Sequence, residues 1–142
     1  DLEASGITPQ STDSIPLDSN QLRSMHARKT GALIRAAAVA GSTMAGAADS
    51  LTDTVDQYAT HLGLAFQIVD DILDVEGAVE ALGKTVGKDA SAGKTTYPSL
   101  YGVAESRRLA NESVERAHEV LRNADLKGYL PDIATWVVTR SN

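Results

Sequence analysis

The chain has no cysteine among its 142 residues, which excludes disulfides and thiolate metal sites. It is poor in aromatics, with one Phe, one Trp and four Tyr. That favours helices packed through alanine, leucine and valine over a β-sandwich. It also lacks an excess of positive charge. Thirteen basic against nineteen acidic residues leave a net charge of −6, which argues against a nucleic-acid surface. No apolar run approaches the ~18–20 residues of a membrane span, and Arg35 interrupts the most alanine-rich stretch. No signal-peptide pattern is visible, and a cytoplasmic location is expected. The first residue is Asp1 rather than Met, so part of the native N-terminus is expected to precede it. What is present, 42% hydrophobic and 23% charged residues, is ordinary globular composition for one domain or a piece of one.

Residues 1–17 read as an irregular leader, with Gly6, Pro9 and Pro16 among serines and threonines. Asp18 followed by Gln21 is a capping-box signature that starts a helix running to about Gly46. Its apolar side is expected to use Leu22, Met25, Leu33, Ile34 and Ala37. Ser50 with Asp53 marks a second start. From there Leu51, Val55, Tyr58, Leu62, Ala65, Val69 and Ile72 recur at alternating steps of four and three, a helical stripe expected to end at Gly77. A short helix around 78–82 and a loop follow, and Pro98 suits the first turn of the next helix. The stripe Ala110, Val114, Ala117 and Leu121 predicts another helix after Gly102, with its charged residues mostly outside. A last helix spans about 130–140. No repeat and no convincing strand is visible, so the fold class is all-α.

Three aspartates, Asp70, Asp71 and Asp74, fall in the apolar run Phe66 to Leu73. At 100° per residue, Asp70 and Asp74 stack with Gln67 one turn earlier, and Asp71 lies at the edge of that face. Like charges at this spacing cost roughly 0.2–0.5 kcal/mol per pair. With the helix expected to end at Gly77, the macrodipole would add roughly 0.3–1 kcal/mol for each carboxylate. A hard divalent cation would compensate, and Mg²⁺ is typically held by one or two carboxylates plus water and substrate phosphate.

Gly83-Lys84-Thr85-Val86-Gly87-Lys88-Asp89 follows, and then Gly93-Lys94-Thr95-Thr96-Tyr97-Pro98. Lysines and exposed N–H groups in a glycine-rich loop suit phosphate. Gly87 to Gly93-Lys94-Thr95 imitates a Walker A loop, but five residues separate the glycines where four are needed and no strand precedes them. Taken alone, such a loop is more often a solvated connection. Beside an aspartate cluster it has the layout of a diphosphate grip, metal on one side and ammonium groups on the other. In the first helix, His26-Ala27-Arg28-Lys29-Thr30 puts Lys29 and Thr30 in a segment expected to face the core. His26 reads as a surface or interface histidine, since no second histidine has ligand spacing.

Together, Lys29-Thr30-Gly31-Ala32-Leu33, Phe66-Gln67 through Asp74, Leu82-Gly83-Lys84 through Lys88-Asp89, and Lys94-Thr95-Thr96-Tyr97-Pro98 resemble the trans-isoprenyl diphosphate synthase (polyprenyl synthetase) family. The aspartate run looks like that family's second Asp-Asp-x-x-Asp motif, and Trp136 to Arg140 looks like its C-terminal helix. A first, opposing aspartate motif is not in this sequence. The resemblance therefore implies that residues 1–142 are the C-terminal half of a single synthase domain, part of a helical bundle.

The activity so implied is Mg²⁺-assisted condensation of an allylic diphosphate with isopentenyl diphosphate into a longer trans-polyprenyl diphosphate of the farnesyl or geranylgeranyl type, in a homodimer. Asp70, Asp74 and, through the metal's water shell or a lysine, Asp71 would serve the metal. Lys29, Lys84 and Lys94 would hold the allylic diphosphate. Lys29, Thr30 and Gln67 would be catalytic, the last two by facing a carbocation with oxygens. Lys88 and Asp89 would fix the loop, and Phe66 and Tyr97 would be core. Three rivals stand beside this reading. One is a non-catalytic truncated or regulatory subunit of such a synthase. Another is a terpene cyclase, whose metal motif Asp49, Thr52 and Asp56 approach. The third is a plain helical scaffold with solvated aspartates.

Overall fold

The computed structural model describes residues 30–82 and 95–141, with positions 18, 20, 21, 24 and 28; of 79–82 it describes the backbone alone. The expected irregular leader lies outside the described residues. Asp18 and Gln21 form the expected reciprocal cap. The Asp18 amide donates to Gln21 Oε1 at 2.9 Å, and the Gln21 amide donates to Asp18 Oδ1 at 2.8 Å. Five helices follow: α1 (Thr30–Met44), α2 (Asp49–Leu82), α3 (Tyr97–Tyr101), α4 (Val103–Asn123) and α5 (Leu130–Thr139). Among the described residues there is no strand, and the fold is all-α.

Helix α1 stops where its sequence allows a left-handed residue. Gly46 has φ +71°, the Ala47 amide reaches the Ser42 carbonyl, and the Gly46 amide reaches that of Thr43, both at 3.0 Å. This Schellman pattern satisfies the orphaned carbonyls and turns the chain back. Helices α1 and α2 then run antiparallel. Arg35 forks onto Asp56 at 2.8 and 2.6 Å, and the Gly31 and Gly63 backbones touch. The hydrogen bond from Arg35 holds the Asp56 carboxyl below its usual range.

The expected apolar side of α1 is corrected here. Leu33 is 71% exposed and Ala37 is exposed, whereas Gly31 is buried and Ile34 and Ala38 pack against the core. Leu22 and Met25 lie outside the described residues. Close approach at the two glycines turns the helix so that its small-residue side, not its leucine, meets α2.

Helix α2 is the spine, and its stripe is the core. Val55, Tyr58, Leu62, Ala65, Val69 and Ile72 are buried, while Leu51 is half-buried. Its end is also corrected. Gly77 lies inside the helix, which continues through the segment expected as a separate short helix. A glycine costs about 1 kcal/mol against alanine in a helix interior. The good helix formers Ala78, Glu80, Ala81 and Leu82 follow it, and Glu76 pairs with Arg107 of α4 at 2.5 Å.

Helix α4 lies against α2 through Ala110, Val114, Ala117 and Leu121, all buried as the stripe predicts. Helix α5 returns alongside, with Ala134 and Val137 in the core. Tyr58 ties α2 to α5, its hydroxyl donating to the Leu130 carbonyl at 2.7 Å. None of the described helices is long and apolar enough to cross a membrane.

Candidate functional site

Because α2 continues to Leu82, Asp70 and Asp74 sit more than two turns from its end. The macrodipole penalty, confined to the last turn, therefore does not apply, and the cluster's cost is mutual repulsion. The structure meets that cost differently for each aspartate. Asp74 is exposed. Asp71 is 1% exposed and turned inward, where its Oδ2 accepts the Tyr97 amide at 3.2 Å. Asp70 is half-buried and paired with Arg140, whose Nη2 donates to Oδ1.

The Asp71–Tyr97 bond ties α2 to α3, whose start is tightly built. Thr96 and Ser99 form a capping box, with the Thr96 amide donating to Ser99 Oγ at 2.8 Å, and Pro98 lies in the first turn. The segment just after Lys94 is therefore anchored to the aspartate helix itself. Lys84, Lys88, Asp89 and Lys94 lie outside the described residues, as do His26 and Lys29.

Thr30 is the first described residue of α1 and is half-buried. Of the apolar residues after it, Ile34 packs against the core while Leu33 is exposed. Gly31, the neighbour of Thr30, makes the close approach to α2, since a Cβ on Gly63 would lie 2.9 Å from the Gly31 Cα. One turn on from Gly63, Gln67 is 5% exposed, and its Oε1 is buried with no hydrogen-bond partner among the described residues. An unpartnered buried acceptor costs about 1–3 kcal/mol. Its position one turn before Asp70 makes it a candidate for the site.

Arg140 is the participant that sequence reasoning missed. It follows α5, and its guanidinium carbon lies 4.2 Å from the centroid of the Phe66 ring and 5.7 Å from that of Trp136. Its Nη2 also donates to the Phe66 carbonyl at 3.3 Å. The available signal was a lone arginine closing an apolar helix in an acidic chain, but only packing identifies its partner. Phe66, expected to be core, is half-buried and carries this cation; Tyr97 is core, at 3% exposure.

Two carboxylates one turn apart, Asp70 and Asp74, offer the hard oxygens that Mg²⁺ takes while keeping water and substrate phosphate as its other ligands. The donor set fits that ion. No group of three or more His, Cys, Asp or Glu side chains positioned for a metal occurs among the described residues. Asp56, part of the alternative cyclase-like motif, is already engaged by Arg35.

The polyprenyl synthetase family profile matches residues 4–127. A dimethylallyltranstransferase of Fischerella ambigua is 43% identical over 127 residues, 89% of this chain and 37% of that protein. A farnesyl diphosphate synthase of Geobacillus stearothermophilus is 42% identical over 128 residues, 90% of this chain and 40% of that protein. The crystal structure of an FPP/GFPP synthase from Zymomonas mobilis superposes with a TM-score of 0.68 at 29% identity, covering 89% of this chain and 40% of that one. The chain thus spans about two fifths of the length of these relatives. The profile covers most of the chain and the all-α fold agrees with the structural match, so the chain belongs to the polyprenyl synthetase family.

Proposed function

We propose that this chain supplies the second metal and diphosphate half-site of a trans-prenyltransferase joining an allylic diphosphate to isopentenyl diphosphate, to give a farnesyl- or geranylgeranyl-type product. One observation carries the reading. Asp70 and Asp74 share a helix face with the Gln67 oxygen, which is buried and has no partner among the described residues. Residues 1–142 are then the C-terminal half of one synthase domain, with the opposing acidic motif contributed from elsewhere in the enzyme. A cytoplasmic homodimer completes the reading.

In the reaction, the allylic C–O bond breaks and its electron pair leaves with diphosphate. The double bond of isopentenyl diphosphate then forms the new C–C bond, and a proton is lost. Bound Mg²⁺ supplies charge neutralisation for the departing diphosphate. Asp70 and Asp74 hold that ion. Asp71 contributes by fixing Tyr97, and with it the segment after the lysine loop. Lys29, Lys84 and Lys94 bind the allylic diphosphate through charge-assisted hydrogen bonds, stabilising it as charge develops. Thr30 and Gln67 turn oxygens toward the allylic cation. An acceptor with no donor to satisfy keeps its full dipole for that purpose, and an amide or hydroxyl oxygen is too weak a nucleophile to trap the cation.

The test is Mg²⁺-dependent incorporation of isopentenyl diphosphate by the full-length enzyme. Asp70→Ala and Asp74→Ala should each abolish it while leaving the helical content intact. Retained turnover in either variant would overturn the assignment.

A further inference from the structure

Arg140 is held by three groups that do not depend on Asp70: the Phe66 ring face, the Phe66 carbonyl and the Trp136 ring. Its side chain is 16% exposed, which is low for an arginine so near a helix terminus. Such anchoring fixes the guanidinium before any carboxylate arrives. Among the described residues, the hydrogen bond from Arg140 goes to Oδ1 of the half-buried Asp70, one turn before the exposed Asp74. A carboxylate clamped through one oxygen has one rotamer and one direction for the other.

We infer that Arg140 is a positioning residue for the Asp70 metal ligand, so that metal binding on α2 is coupled to the seating of the C-terminal end of α5. This rests on the metal site proposed above. The physical argument is preorganisation. An unclamped carboxylate on a helix samples several rotamers and sits closer to its like-charged neighbours, and both effects oppose metal capture. The guanidinium removes the first and offsets the second, while its cation–π anchoring keeps it from following a metal-bound carboxylate away. A cation in this place could instead compete with the metal. Competition requires a side chain free to withdraw, and the contacts to Phe66 and Trp136 oppose withdrawal.

Trp136 lies against the Arg140 guanidinium and can report on its seating, with Trp136→Phe as the blank for any other tryptophan. Mg²⁺ alone is titrated into the full chain, followed by calorimetry and by Trp136 emission. In the unsubstituted protein, Mg²⁺ should change the emission. Arg140→Gln should weaken Mg²⁺ binding about 10–100-fold, the usual effect of removing a group that orients a metal ligand, and should abolish the emission change. Arg140→Lys should recover part of the affinity. Should Arg140→Gln fail to fold, Phe66→Leu removes one anchor and keeps both hydrogen bonds, and an intermediate loss is expected. Arg35→Gln, which breaks a different ion pair on α2, should leave binding unchanged.

Unchanged or tighter Mg²⁺ binding in Arg140→Gln overturns the inference while leaving the site in place. An equal loss in Arg35→Gln overturns it too, since the effect would then be general loosening of α2. An unsubstituted protein that binds no Mg²⁺, or an Asp74→Ala variant whose titration shows no site lost or weakened, removes the site itself and the inference with it.

Discussion

Replacing Gly63 by alanine tests whether the crossing of α1 and α2 sets the geometry of the site. An added Cβ would lie 2.9 Å from the Gly31 Cα and 3.6 Å from its carbonyl oxygen. Carbon atoms prefer separations of about 3.5–4.0 Å, so the helices must part by roughly 0.6–1 Å at this point. The contact is backbone, which cannot rotate away. Overpacking of this kind costs about 1–3 kcal/mol, against which alanine gains about 1 kcal/mol in helix propensity. A net loss of up to about 2 kcal/mol is expected, or roughly 4–8 °C in melting temperature.

The larger effect should be on turnover. Thr30 adjoins Gly31, and Gln67 is one turn from Gly63. A displacement near 1 Å between reacting groups can cost about 100-fold. Gly41→Ala is the matched control, in the same helix pair but with nothing within 4 Å of the new Cβ. It should stabilise by about 0.5–1 kcal/mol and leave activity unchanged. Thermal melts and steady-state kinetics on both variants of the full-length enzyme decide the matter. If Gly63→Ala behaves like Gly41→Ala in both assays, the close crossing does not position the site.

Gln67→Met should hold or raise the melting temperature, since it removes a buried acceptor worth about 1–3 kcal/mol when unpartnered, yet it should slow prenyl transfer; a large loss of stability would refute the assignment of that oxygen to substrate. Burial pushes the Tyr58 hydroxyl from its ordinary 10.0 up to about 12. The folded state therefore holds this proton more tightly than the unfolded chain. The resulting stability is present below pH 10 and is lost as pH rises through about 12. That gap is worth a few kcal/mol at most, and Tyr58→Phe should flatten the alkaline limb of a denaturation series over this window. Asp125, with φ +49°, occupies the left-handed position after α4, where the Leu126 amide reaches the Leu121 carbonyl at 2.9 Å. Asp125→Gly should raise stability by up to about 1 kcal/mol in urea unfolding without affecting turnover, and a loss would show that the carboxylate matters more than the backbone strain.

Much of this molecule was legible along the chain, because the legible features are local. Helix periodicity located the α2 and α4 stripes, and the Asp18–Gln21 cap and Pro98 in the first turn of α3 behave as their chemistry requires. The stacking of Gln67, Asp70 and Asp74 follows from helix geometry alone, so the face carrying the proposed metal ligands was present in the residue order. Charge and composition excluded whole classes before any contact was known. What the residue order misjudged depended on neighbours in space. Gly77 looked like a stop because propensity is a weak prior, and it was overridden by the helix formers beyond it and the α2–α4 contact. Leu33 looked buried because its type favours burial, until the Gly31–Gly63 contact rotated α1. The residue order set Asp71 apart at the edge of the face but not Asp70 from Asp74; tertiary structure gave all three different environments, an exposed surface for Asp74, the Tyr97 amide for Asp71 and the Arg140 guanidinium for Asp70. The sequence by itself determined which side chains share a helix face; only packing decided which of them meet a partner seventy residues away, because that choice is made by the distances between helices and not by the periodicity within one.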